Sequence, residues 1–372
     1  MTAISELRKK TGIGVEIADD FETANDYCMQ RGWTDGLPVV PPTAERVERM
    51  LAYCDRPWEE PLALVAPRYG AATPLRLAAN AVMAGCRPEY FPLVMLSIEA
   101  LCDEKFNLYA VQATTHPCSP FILVNGPVAR ELNMNCGTGV LGSGTQSNAA
   151  IGRAIRLALV NIGGAIPGIG DMATHGAPTK FSFCAAENEA ANPWTPLHVE
   201  RGLPAHASAV TVFAAEGPHN LNDHESTTGE GILQTIVGTI ATTGTNNVHH
   251  PTSEAVIMFC PEHAATIAGD GYSKSDIKNY LYEHARVPMG KFSEANIRRR
   301  LKVKYGDRYT RAGLDEPIPI AQSPEKFVLV VAGGAGKHSA YIPSFGNTLS
   351  VTRMLRRKDG EPALSVQELK RY

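Results

Sequence analysis

The sequence predicts an α/β fold, and three observations lead there: short apolar strands alternate with helical periodicities, each strand runs into a Gly, Pro or His turn, and no low-complexity linker divides the chain. The strands are Phe121 to Val124, Ala209 to Ala214, Ala255 to Phe259 and Phe327 to Ala332. They run in turn into Asn125-Gly126-Pro127, Glu216-Gly217-Pro218-His219, Cys260-Pro261-Glu262-His263 and Gly333-Gly334-Ala335-Gly336-Lys337-His338. This recurrence predicts a single compact unit: an α/β core of weakly repeated strand-loop-helix units over 61–372, preceded by an N-terminal helical arm over 1–60.

The arm reads as helix, extended segment, helix. Asp20 to Gln30 forms the first helix, the prolines of Gly32 to Pro42 hold the chain extended, and Thr43 caps a helix to Cys54. Leu75 to Gly85 and Pro92 to Leu101 predict a helical hairpin, because Pro88 disfavours helical geometry at Arg87. Ala150, Ile151, Ala154, Ile155, Ala158, Leu159 and Ile162 recur at three- and four-residue spacing, so Ser147 to Ile162 is a core helix with Ser147 or Asn148 as its cap. Gly229 to Ala241 carries the same periodicity, and Ser273-x-x-Asp276 signals the start of a further helix.

With 372 residues, 44% of them hydrophobic, the chain supplies a sizeable core. A formal charge of −3 with mixed signs offers no footprint for nucleic acid or a membrane surface, and Arg298-Arg299-Arg300 and Arg356-Arg357-Lys358 read as solvated helix ends. Met1 to Gly12 has no apolar run and no segment is long and apolar enough to span a bilayer. Eight cysteines without C-x-x-C spacing fit reduced thiols. The expectation is a cytoplasmic protein, and its apolar helices favour a homo-oligomer.

The segment Asn135 to Gly144 draws the most chemical interest. Gly137, Gly139 and Gly142 with Ser143 predict a loop whose N–H groups reach an anion, with Asn148 and Arg153 on the next helix as further substrate-binding groups. No strand ends just before Gly137 and no acidic residue lies at the required distance beyond it, so no nucleotide cofactor is expected. Gly336-Lys337 fails the phosphate-loop pattern, because its first glycine position is Val331 and its hydroxyl position is His338. Lys337 and Ser339 could still serve an anion cradle. Cys136 is the candidate nucleophile, with His116 or His175 to take its proton. Cys118 and Cys184 are alternatives. Asp171 and His175 would orient and move a proton, Lys180 would supply positive charge, and Glu187 would add an acid/base group. If the turns share one rim, His219, His263 and His338 converge there and could hold a divalent metal.

Gly32-Trp33-Thr34-Asp35-Gly36-Leu37-Pro38-Val39-Val40-Pro41-Pro42-Thr43 and Asn80-Ala81-Val82-Met83-Ala84-Gly85-Cys86-Arg87-Pro88-Glu89-Tyr90 resemble segments of a bacterial family associated with small Sec-Gly-Ser-Cys (UGSC-type) selenoproteins. Val124 to Pro127, Asn148 to Arg156 and Ala186 to Glu189 add to the resemblance. It implies association with thiol or selenol enzymes, and it implies no particular reaction. The chain departs from the selenoprotein pattern, since Cys136-Gly137-Thr138-Gly139 lacks the second thiol. The residues together predict an enzyme acting on a small, polar, anionic metabolite by acid/base or nucleophilic addition, elimination or hydrolysis. Two alternatives are a subunit working with a small thiol or selenol protein and a non-catalytic scaffold.

Overall fold

The structure is a computed structural model that describes residues 14–301 and 317–370. Met1 to Gly12 lies outside the described residues, as does the side chain of Arg300. The arm begins with α1 (Phe21–Gln30), capped by Asp20, and α2 (Ala44–Leu51), capped by Thr43. Between them the proline-rich segment is a strap. Asn25 accepts from Val39 N at 2.6 Å, Val40 N donates to Met83 O at 3.1 Å, and Asn161 donates to Trp33 O at 2.9 Å.

After the small hairpin β1 (Ala63–Val65) and β2 (Gly70–Ala72) come α3 (Pro74–Met83) and α4 (Phe91–Leu101), the expected helical hairpin. The short α5 (Leu108–Ala113) leads into β3 (Ser119–Asn125), α6 (Pro127–Glu131) and the long α7 (Gln146–Asn161). Next come β4 (Cys184–Ala186), α8 (Leu197–Glu200), β5 (Ala209–Ala215), β6 (His219–Asn222) and α9 (Gly229–Ile240). The remainder holds α10 (Asn246–His249), β7 (Ala255–Phe259), α11 (Pro261–Gly269), α12 (Lys274–His284) and the two-stranded β8 (Arg286–Pro288) and β9 (Pro317–Pro319). The last strands are β10 (Phe327–Val331), β11 (His338–Ile342) and β12 (Val351–Met354). The α12 start carries the expected reciprocal capping box between Ser273 and Asp276.

Two four-stranded sheets carry the core, ordered β12-β5-β3-β4 and β10-β7-β11-β6. Each has one parallel pair at its edge, β3 with β4 or β7 with β10, followed by two antiparallel pairings. The period-two alternation of strands assigns the faces. Ile122, Val124, Val210 and Val212 pack outward against helices that include α3, α4 and α7, while Ala255, Ile257, Phe259 and Leu329 pack outward against α9, α11 and α12. Phe121, Leu123, Phe213, Val256, Met258, Val328 and Val330 meet between the sheets. The architecture is therefore four layers, helix, sheet, sheet, helix.

The repeat is real in topology but differs from the one the sequence suggests. The unit is β3-helix-β4-β5-β6 and then β7-helices-β10-β11-β12, and the last strand of each unit joins the other sheet. Strand direction has a direct consequence for the expected shared rim. Because β5 runs antiparallel to β3, the turn after β5 lies at the end opposite the turn after β3, where Ala215 bridges Ser344. The ends of β4 and β10 do share a rim, joined by Asn188 N donating to Val331 O at 2.7 Å.

Two local expectations change. The α7 cap is Thr145, without a side-chain bond, and Ser147 and Asn148 are buried in the first turn. Arg356 to Lys358 form a turn after β12, not a helix end, with Arg357 paired to Asp359 at 2.8 Å. Among the described residues no helix is long and apolar enough to cross a membrane.

Candidate functional site at the rim of the parallel strands

In sheets with parallel strands, sites gather beyond the carboxyl ends of those strands. Here the rim beyond β3, β4, β7 and β10 collects polar residues and both glycine loops. Gly333 N donates to Cys136 O at 2.9 Å, and a Cβ on Gly334 would overlap the Thr138 hydroxyl. The loops at 137–144 and 333–336 are thus packed together. The first is largely closed on itself: Gly137 N donates to Asn135 Oδ1, Val140 N to Gly137 O and Gly142 N to Gly139 O. Ser143 stays exposed. Asn148, expected to bind substrate, instead holds the loop, accepting from Asn135 N and donating to Asn135 O, both at 2.9 Å.

In the half of the rim belonging to β3 and β4 the carboxylates are engaged. Asn125 and Glu187 continue the inward-facing alternation of their strands, so their side chains meet between the sheets. Glu187 is buried and accepts from Asn125 Nδ2 at 2.6 Å, Asn192 Nδ2 at 2.8 Å and Leu197 N at 2.9 Å. Burial pushes its carboxyl up despite Lys274 and these donors. Glu189 accepts from Gly126 N at 2.7 Å and Asn125 at 3.0 Å. Glu187 is therefore a clamp and not an accessible acid.

Cys136 is half-buried, and burial together with the nearby Glu189 raises its thiol. The two imidazoles expected to deprotonate it are engaged or placed elsewhere. His116 bonds Glu216 at 2.6 Å and stacks on Phe345, and His175 is exposed in the 167–176 loop. Cys118 is pushed up to about 12 by burial, and burial raises Cys184 as well. Asp171 does not orient His175. It is buried between Arg156 at 3.1 Å and Lys180 at 2.7 Å, beside a crevice of about 10 Å³ that has room for a single water. Arg153 is not an anion group either, since Asp35 of the strap takes it in two bonds of 2.8 Å. Ion pairing won at each of these positions because a carboxylate lies within reach in the folded chain.

The expected three-histidine cluster does not form. His219 faces Tyr341 across the β6–β11 ladder, three residues from His338 and so about 10 Å along the strand. His263 is buried, with Nε2 donating to Asp223 O at 2.9 Å and Nδ1 against Ser339 Oγ at 2.8 Å. Ser339 accepts from Cys260 N at 3.1 Å and donates towards Cys260 Sγ at 3.6 Å. Burial opposes the charged forms of both groups, but mutual hydrogen bonding more than offsets it, lowering Cys260 and raising His263. Sequence reasoning missed Cys260. The available signal was Cys260-Pro261-Glu262-His263, a thiol at a helix start with an imidazole one turn on.

His338 precedes Ser339 on β11 and so points to the opposite face. There its Nε2 lies 3.0 Å from Nε2 of His224, and its Nδ1 lies 3.0 Å from Asn220 Oδ1. All three side chains are exposed. Lys337 Nζ donates to His224 O at 2.9 Å. The turn carrying His224 is pinned by Asp223, whose carboxylate accepts from Ser226 N, Ser226 Oγ and Thr235 Oγ1 at 2.9, 2.8 and 2.6 Å. Burial raises the Asp223 carboxyl, but these bonds outweigh it and leave it low. The sequence held no sign of His224, because His219 to Asn222 lacks the apolar alternation that marks a strand.

Among the described residues no group of three or more His, Cys, Asp or Glu side chains is placed to hold a metal. Comparison with family models, with curated proteins and with solved structures found no match to this chain.

Proposed function

We propose that the chain is an enzyme acting on a small anionic metabolite, by proton-transfer-dependent addition, elimination or hydrolysis, at the open rim of the second sheet. The observation that carries this reading is the His224–His338 pair, held at 3.0 Å beside the Lys337 ammonium on a face open to solvent. Two imidazoles are suited to proton transfer, and an adjacent ammonium attracts an anion. The packed glycine loops would border the bound molecule. A reducing, cytoplasmic setting accompanies the reading, supported by eight cysteines without a bridge.

The test is a melting-temperature screen of small carboxylates and phosphates in chelator, and then turnover of the compounds that stabilise. Stabilisation should vanish in Lys337→Met, and turnover should fall about 10²- to 10⁴-fold in His338→Gln. If no small anion stabilises the protein, or Lys337→Met responds as the parent does, the reading is wrong.

A further inference from the structure

We propose that His224 and His338 together bind a divalent transition metal through their Nε2 atoms, with the remaining coordination positions open to water and to an anion. The inference takes its location from the functional reading above and adds what the imidazole pair holds.

Three features point to a metal. The first is the bite. Two imidazole nitrogens on one ion, each at about 2.0–2.1 Å, sit roughly 2.9 Å apart for adjacent octahedral positions and roughly 3.4 Å apart for a tetrahedral edge. The observed 3.0 Å lies between these values.

The second feature is the tautomer. With Asn220 Oδ1 accepting from Nδ1–H of His338, the lone pair of that ring is on Nε2, the atom nearest His224. An acceptor on the far ring nitrogen is how ligating histidines are generally fixed, and it raises their basicity. At 3.0 Å the two Nε2 atoms cannot meet with nothing between them. Either a proton or a cation must lie between them.

The third is rigidity. His338 begins β11 and His224 lies just after β6, its paired neighbour, while Lys337 Nζ and the bonds to Asp223 tie the His224 turn down. One ligand is therefore presented by a strand and the other by a pinned turn, with little to reorganise on binding.

Lys337 adds a condition. An ammonium beside a dication is repelled unless an anion lies between them, so metal and anion should bind with positive coupling. With the metal bound both Nε2 lone pairs are occupied, so a coordinated water would take over from the imidazoles as the proton source or nucleophile.

The experiment is titration of the full-length, chelator-treated protein with Co²⁺, read by its visible absorption, without substrate and then with sodium acetate as the probe anion. One saturable equivalent is expected, with tighter binding in acetate. Binding should be lost in His224→Ala and in His338→Gln, weakened about tenfold in Asn220→Ala, and kept in His219→Ala, a histidine on the same ladder. Both ligands are exposed, so the variants should fold, and circular dichroism checks that. A pair that merely shares a proton would show no saturable Co²⁺ band, or a band unchanged by either histidine substitution, and both results overturn the proposal. Because anion stabilisation is measured in chelator, loss of the metal site would leave the functional reading to stand or fall separately.

Discussion

The two sheets share a topology, yet their rims have been put to opposite uses. Beyond β3 and β4 the carboxylates are engaged: buried Glu187 takes three donors, half-buried Glu189 takes Gly126 N, Asn125 and Arg130, and Asn125 Nδ2 serves both. Beyond β7, β11 and β6 a buried Cys260-Ser339-His263 string backs an exposed surface where His224, His338 and Lys337 reach solvent. Saturated polar groups specify a structure, because each donor left unmet in a dry interior carries its full desolvation cost. Exposed groups with unspent donors and acceptors add little to stability and can be given to a ligand. The difference separates clamp from candidate site even though both rims are rich in residues of catalytic type.

The largest expected effect tests the clamp. Glu187→Ala leaves Asn192 Nδ2 and Leu197 N without their acceptor and Asn125 Nδ2 with Glu189 alone, and at about 1–3 kcal/mol for each buried donor left unmet should cost about 3–5 kcal/mol of folding stability by denaturant titration. A cost below about 1 kcal/mol would mean that water or a neighbour replaces the carboxylate, and the contrast between the rims would collapse.

How much of this was legible in the sequence depended on the range of the interaction. The helical hairpin, the Ser273–Asp276 capping box and all four apolar strands were readable, because propensity, capping and periodicity act within a few residues. Strand direction was not, since β5 against β3 and β10 against β7 have the same local pattern and opposite pairing. That missing information put His219 on the wrong rim. The candidate residues suffered in the same way: Arg153, Asp171 and Asn148 look available in sequence, and each is consumed by a partner that only folding supplies, at Asp35, Arg156 with Lys180, and Asn135. Nor did the local pattern show that the two glycine loops, nearly two hundred residues apart, pack on one another.

A smaller effect sharpens the comparison through pH, because two glutamates titrate with opposite sign. Glu200 on α8 pairs with Lys274 at 2.7 Å and with Lys278 on α12. Although burial raises its carboxyl, the two lysines outweigh it and hold it below the usual range. Its contribution to stability is therefore complete above the unfolded value of about 4.3 and is lost as pH falls through the folded value. Burial raises Glu187 instead, so the folded chain keeps a proton that the unfolded chain releases, and stability from that group declines as pH rises from about 4.3 through its folded value. Glu200→Gln should flatten the acid limb of the stability profile and Glu187→Gln should remove the decline above it, both read from denaturant midpoints between pH 3 and 7. Profiles that shift in parallel would show that neither carboxyl is coupled to folding in the direction its surroundings dictate.

The smallest effect is expected at the rim where function is proposed. His338 and His224 bond chiefly to one another and to Asn220 in an exposed position, so replacing either with alanine removes polar contacts that water can supply again. The change in unfolding free energy should stay within about 0.5 kcal/mol, as for surface substitutions away from caps and cores. The same measurement on His263→Ala, which strips buried Ser339 and Asp223 O of their partner, should give about 1–3 kcal/mol. Were His338→Ala to cost as much as His263→Ala, the exposed pair would be part of the framework that positions β6 against β11. Its two imidazoles would then be committed to the fold, just as Glu187 is at the other rim.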